Sequence, residues 1–315
     1  MLHKRILFSF LCCTVAVSFG ADGKFSGVSY YHYTYNSEES AINGFGFKRV
    51  YFTYEEEVSG EISYKFQTDL DYKNSPMNVY VKNAKVDWKS SLGKITIGMQ
   101  GMNIFNVQEK TWGYRFLEKS AMDHRKFSSS ADMGLGFSRS LLENMKATLL
   151  VTNGTGYKKS ENDSYKRTSL QLLYGESRLD KKNGFNLGGI LTVEPYDQGT
   201  KAYSKTLLGG FGGLTRNRFR VGAEYNQYGD NGIGDTKHLT SAYANYSMRG
   251  DIQAFFRYDL YAVDSSEESS DYSYIMSGVV YSVGEGLVIA PNVRITTATG
   301  GENSTIFMLS FQFGF

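Results

Sequence analysis

The feature that most constrains this chain is the segment 304–315, S-T-I-F-M-L-S-F-Q-F-G-F. Phe307, Leu309, Phe311, Phe313 and Phe315 fall on one parity; Met308, Ser310, Gln312 and Gly314 fall on the other. In a β-strand, period-two alternation sends these two sets to opposite faces. One face is wholly apolar and the other is small or polar, as required of a strand with lipid outside and water inside. A sandwich strand can show the same alternation, so the choice between the two rests on the remainder of the chain.

Similar alternation recurs almost throughout. Strands are predicted at 24–36, 42–56, 59–72, 78–90, 92–101, 131–140, 144–156 and 166–176. They continue at 184–195, 202–213, 216–228, 236–248, 250–264, 271–283, 286–298 and 303–315. The gaps alternate between tight and loose, with tight turns at Glu57–Val58, Ser91, Arg249 and Gly284–Glu285 and loose ones at Asn36–Ala41, Tyr157–Tyr165 and Pro195–Lys201. An up-and-down barrel with short turns at one end and longer loops at the other alternates in this way, whereas Greek-key crossings do not. The expected fold class is all-β: a transmembrane up-and-down antiparallel β-barrel of about 16 strands, too wide for side chains to fill. No linker or repeat divides 21–315, which reads as a single barrel domain.

Charges sort by parity. Ile252, Ala254, Phe256, Tyr258 and Leu260 are expected outside, with Arg257 and Asp259 inside. Phe219, Val221, Ala223 and Tyr225 oppose Arg218, Arg220 and Glu224; Ile62, Tyr64, Phe66 and Leu70 oppose Lys65, Gln67 and Asp69. A charge at the lipid midplane costs about 2–4 kcal/mol, so this sorting is a physical requirement. Two places resist it. Lys48 and Arg49 occupy both parities, which implies a bulge or a snorkelling lysine, and Pro291 interrupts a strand, which implies a second bulge.

At the other end, His3, Lys4 and Arg5 precede the apolar run Ile6–Val17, and Ser18 and Gly20 are small residues at the −3 and −1 positions of a cleavage site. Residues 1–20 read as a secretory signal peptide. Both cysteines, Cys12 and Cys13, leave with it, so disulfides cannot stabilise the mature chain. Beyond residue 20 basic and acidic residues are equal in number, which gives no sign of nucleic-acid binding.

The one long gap, Met102 to Ser130, is the third loop on the long-loop side. Ile104, Phe105, Trp112, Tyr114, Phe116, Leu117 and Phe127 give it an apolar surface, and Tyr114–Asp123 is expected to form a short helix. A long loop with an apolar underside folds onto something, and the lumen is available. Folded inward, it is expected to set Glu109, Arg115, Glu118, Asp123 and Arg125 opposite the wall residues Arg49, Lys65, Lys85 and Arg257, forming a pore constriction. The alternative is a loop packed over the barrel mouth or against a neighbouring subunit.

This layout, with Gly93–Gln100 (G-K-I-T-I-G-M-Q) leading into the loop and Trp112–Ser120 (W-G-Y-R-F-L-E-K-S) within it, resembles the Gram-negative general porins. Lys146–Tyr157 (K-A-T-L-L-V-T-N-G-T-G-Y) is similar to the phosphate-selective porin O and P group. The loop's mixed charges, five basic against three acidic, depart from the strongly basic constriction of that group. The resemblance implies an outer-membrane homotrimer that passes small hydrophilic solutes and ions with weak charge selectivity. It also implies that Phe315 is part of the signal read by the barrel assembly machinery. A closed barrel with an adhesion or structural role is the alternative. No enzyme is expected: His32, His124 and His238 are far apart in sequence, without a nucleophile or ligand cluster beside them. Neither a cofactor nor a metal is expected. The acidic stretches Glu38-Glu39 and Glu267-Glu268 read as solvated loops or sites for divalent ions between lipid head groups, and Gly209–Gly213 as glycines at a subunit contact or a barrel bend.

Overall fold

A computed structural model describes residues 23–36, 38, 41, 43–72, 76–264, 270–299, 301 and 303–315. The expected signal peptide, and Glu39, Glu267 and Glu268 of the acidic stretches, lie outside the described residues. Sixteen strands follow one another: β1 (Lys24–Asn36), β2 (Gly44–Glu57), β3 (Ile62–Asp71), β4 (Asn78–Ser90), β5 (Gly93–Gly101), β6 (Ala131–Leu142), β7 (Met145–Thr152) and β8 (Arg167–Gly175). Then come β9 (Gly184–Gln198), β10 (Lys201–Arg216), β11 (Phe219–Asp230), β12 (Asp235–Ser247), β13 (Ile252–Asp264), β14 (Ser270–Gly284), β15 (Leu287–Ala298) and β16 (Ser304–Gly314). Each pairs antiparallel with its sequence neighbours, and β1 pairs with β16 to close the barrel. Closure leaves no unpaired edge, as a lipid environment requires.

The closing seam explains the terminal aromatic. Gly27 N donates to Phe315 O at 3.1 Å and Phe315 N to Gly27 O at 3.0 Å. The Phe315 ring lies over Gly27, where any Cβ would strike it. Phe307, Leu309 and Phe313 are exposed on the outer face while Ser310 is buried inside, in line with the parity argument. Aromatic pairs such as Tyr33–Phe45 (4.9 Å between centroids) and Phe219–Tyr246 (4.7 Å) stand near opposite ends of the strands, where amphipathic rings suit a lipid–water boundary.

The two irregular places resolve differently. Tyr30 pairs with Arg49 and Tyr31 with Phe47, so Lys48 is the extra residue of a bulge and both basic side chains turn inward. No bulge forms at Pro291. Register with β14 is unchanged on either side, from Gly278↔Asn292 to Tyr281↔Ile289, and ladder pairing simply lapses between them. Pro291 keeps its pairing with Leu309 of β16. Nor is Pro195 the start of a loose loop: β9 runs on to Gln198, with a two-residue turn before β10. Pairing with β8 stops at Val193, so Pro195 lacks a neighbour on that side and its missing N–H costs little.

Within 102–130 the helices are α1 (Asn106–Trp112) and α2 (Ala121–His124), not the expected Tyr114–Asp123. Gly113, at φ +78°, takes the left-handed conformation that ends α1 and turns the chain before Tyr114. Beneath this segment the inner wall carries apolar patches. Leu150, Leu173, Ile190, Leu207, Phe211 and Leu239 are buried there with Met102, Ile104 and Met122. A second cluster joins Trp112, Phe116 and Leu117 to Tyr243, Phe255 and Met276. The glycine-rich run serves this contact, since a Cβ at Gly213 would strike Thr111 of α1.

Candidate functional site

The 102–130 segment is fastened to inner-face side chains of many strands. Asn103 Nδ2 donates to the carbonyls of Thr148 (2.9 Å) and Ser169 (3.2 Å). Farther round, Asn186 Nδ2 reaches Thr111 Oγ1 at 3.0 Å, while Arg220 and Asn245 both donate to the Trp112 carbonyl at 3.1 Å. The Trp112 carbonyl at the end of α1, which lacks an intrahelical partner, is thus satisfied by the wall.

The tip, residues 117–119, is gripped by three cations. Lys48 of β2 lies 3.2 Å from Glu118 Oε2 and Arg294 of β15 lies 2.9 Å from the same atom. Both cations also donate to the Leu117 carbonyl. Arg257, only 1 % exposed, donates to the Lys119 carbonyl at 2.5 Å and pairs with Asp259 at 2.7 Å. Burial by itself pushes the Glu118 carboxyl up, but Lys48 and its neighbouring cations outweigh it and hold the group well below the usual carboxylate range.

The other side of the loop carries a chain of alternating charge. Arg115 pairs with Glu109 and, at 3.3 Å, with Asp123, which Lys119 also approaches at 3.2 Å. Burial raises the Asp123 carboxyl, whereas Arg115 and Lys119 overcome this and leave it lowered. Facing this chain is the wall of β2 to β4. Arg115 reaches Tyr51 at 3.5 Å; beside it Arg49 holds Asp69 at 2.5 Å and Tyr80 at 3.2 Å, and Lys82 binds Ser130.

The sequence-expected residues therefore divide into groups. Glu109, Arg115 and Asp123 form one cluster, with Arg49 across from it. Glu118 and Arg257 belong to the anchoring of the tip. Arg125 stacks on Tyr272, its guanidinium 3.7 Å from the ring centre. Lys65 and Lys85 are not drawn to the loop; they pair within the wall, with Glu55 at 2.8 Å and Asp87 at 2.6 Å. Lys48, Tyr51, Lys82, Lys119 and Arg294 join these groups although none is among the expected constriction residues. The parity conflict at Lys48 and the inward parity of Arg294 were the available signals.

The histidines lie apart from these charge pairs or are buried among them. His124 is pushed down to about 4 by burial and packs 5.2 Å from the Tyr274 ring. His238 meets Tyr225 OH at 2.9 Å and Asp264 at 3.4 Å. Among the described residues no three His, Cys, Asp or Glu gather as a metal would need.

Comparison of the fold with solved structures is decisive for architecture. The anion-selective porin from Comamonas acidovorans superposes with a TM-score of 0.72, covering 93 % of this chain and 99 % of that one, at 12 % identity. This is a porin fold. In-vitro folded OmpT of Vibrio cholerae, in its trimer form, gives 0.69 with 93 % and 99 % coverage at 11 % identity. The outer-membrane channel DcaP of Acinetobacter baumannii gives 0.69 with 94 % and 98 % coverage at 10 % identity. Each likeness spans nearly the whole of both chains. No protein-family model matches the sequence, and no curated protein matches it.

Proposed function

We propose that this chain is a non-enzymatic outer-membrane porin of a Gram-negative bacterium, a water-filled channel for passive diffusion of small hydrophilic solutes and ions. The observation that carries the proposal is the pairing of a charged loop face, Glu109–Arg115–Asp123–Lys119, with a polar wall across the lumen at Tyr51 and Arg49. The 102–130 segment is then the constriction. Its far side is seated on apolar wall, and its near side presents mixed charge to the water path. Charges in such a narrow path act through a lower effective dielectric than bulk water, so each biases the local ion population. Because both signs are present and largely paired, the selectivity is weak.

The homotrimer is part of this proposal, supported by the trimeric form of one structural neighbour. So is insertion by the barrel assembly machinery through a terminal signal that includes Phe315, supported by its position on the closing seam. The test is a planar-bilayer recording on purified, folded protein. Stable conductance steps that scale with salt are expected; folded protein that inserts and passes no current refutes the channel.

A further inference from the structure

At the loop end of the barrel, the exit leg of 102–130, the segment 153–166 and strands β9 to β11 enclose a cavity of about 380 Å³. Its lining includes the cations Lys126, Lys159, Arg167 and Lys205 and the carboxylates Asp163 and Glu194, a formal excess of two positive charges. Glu194 is taken up by Arg167 Nε at 2.5 Å and by Lys205 at 3.5 Å. Among the described residues, Lys126 and Lys159 have no carboxylate within ion-pairing distance. The remaining wall is rich in hydroxyls and amides, from Ser128, Ser129, Asn153, Thr155 and Asn162. Ser129 Oγ is buried with no hydrogen-bond partner among the described residues.

Lys126 holds its place at a conformational cost. Its φ of +59° is left-handed, and Phe127 N returns to Met122 O at 3.2 Å. This is the helix ending that glycine favours. The turn sends Phe127 inward, 5.6 Å from the Tyr228 ring, and leaves Lys126 exposed at the cavity. The Lys126 ammonium is thus held at the cavity in spite of a backbone conformation that favours glycine.

We propose that this cavity is a binding site for a small polyhydroxylated anion, a carboxylate or phosphate on a sugar-sized body. Lys126 and Lys159 receive the anionic group as charge-assisted donors. The hydroxyls and amides hold the ligand's own hydroxyls. Asp163, whose Oδ1 accepts from Tyr165 N at 2.8 Å, lines the cavity and supplies an acceptor for a ligand hydroxyl. The volume admits a monosaccharide unit. If the channel function holds, the site concentrates such solutes at the loop-side entrance, but binding itself does not depend on conduction.

The test is calorimetric titration of folded, full-length protein with glucuronate, glucose 6-phosphate, glucose and inorganic phosphate, with conductance recorded separately on the same preparation. Glucuronate or glucose 6-phosphate is expected to bind at least about tenfold more tightly than glucose or inorganic phosphate, and the tighter of the two identifies the anion. The double variant Lys126→Gly/Lys159→Ala is expected to lose about tenfold or more of that affinity. Glycine relieves the backbone at 126, so the loss is not attributable to misfolding. Lys181→Ala, which removes one positive charge from the turn 176–183 at the opposite end, is expected to leave affinity unchanged. Equal binding by the double variant, an equal loss in Lys181→Ala, or inorganic phosphate binding as tightly as the sugar anions overturns the site. A preparation that conducts and binds neither sugar anion overturns the site alone, whereas binding without conductance supports the site and refutes the channel.

Discussion

Replacing Glu118 with glutamine removes the single carboxylate that Lys48 and Arg294 share. At 3.2 and 2.9 Å, each attraction is about 5 kcal/mol at an effective dielectric of about 20, before desolvation is counted. Removing one partner of a buried ion pair costs about 3–5 kcal/mol net. The Leu117 carbonyl still accepts from both cations, so the lower end, about 3 kcal/mol, applies. Against this stands the apolar seat of Trp112, Phe116 and Leu117, all buried, each contributing about 1.5–3 kcal/mol. The seat outweighs the latch, so the loop stays docked while its tip loosens. A loss of about 3 kcal/mol raises the undocked fraction of the tip about a hundredfold. In single-channel recordings at pH 7, Glu118→Gln is expected to show added open-channel noise with the barrel still folded. The wild type supplies its own control. The Glu118 carboxyl is held well below its ordinary value of 4.5, so its contribution is complete above pH 4.5 and is lost only as pH falls through that lower value. Identical noise in variant and wild type at pH 7 refutes the latch.

His124→Phe is expected to remove an acid sensitivity of the loop. The imidazole is lowered from 6.5 to about 4, so its contribution is complete above pH 6.5 and about 2–3 kcal/mol is lost on descending to pH 4; wild-type noise that stays flat between pH 6.5 and 4 counts against it. Arg115→Ala frees Glu109 and leaves Asp123 with Lys119 alone, and is expected to shift the reversal potential toward cations, less so as salt rises, and to admit larger uncharged sugars; an unchanged potential and cut-off would show that the loop does not form the constriction. Adding Arg125→Ala is expected to change either property little, because that side chain rests on Tyr272. Phe315→Asp puts a charge on the outer side of the seam and is expected to lower the yield of heat-modifiable barrel, with normal yield as the opposing result.

Most of the barrel was legible because lipid imposes a strict rule on every second residue. The sixteen strands, their order and the outward sets on β3, β11, β13 and β16 follow from parity and turn spacing alone. Parity failed where that rule relaxes. Leu207, Leu239 and Met276 point inward although apolar, since they seat the loop rather than face water; alternation cannot reveal that a wall has a lid. Pro195 was over-read as a strand end and Pro291 as a bulge because β-ladders tolerate proline where a neighbouring bond is already absent. The loop's charged residues were legible as candidates, but not their partners, since residue pairs such as Glu118 and Arg294 meet only through closure of the barrel.

That last pair has a bearing on assembly order. Lys48 and Arg294 stand on strands β2 and β15, and between them lie only β1 and β16, the first and last strands of the chain. The loop tip therefore bridges the one junction that forms between sequence-distant strands. Before β1 meets β16 the two cations are far apart and Glu118 has at most one of them. The tip can settle only once the cylinder is complete, and once settled it fastens the suture from inside.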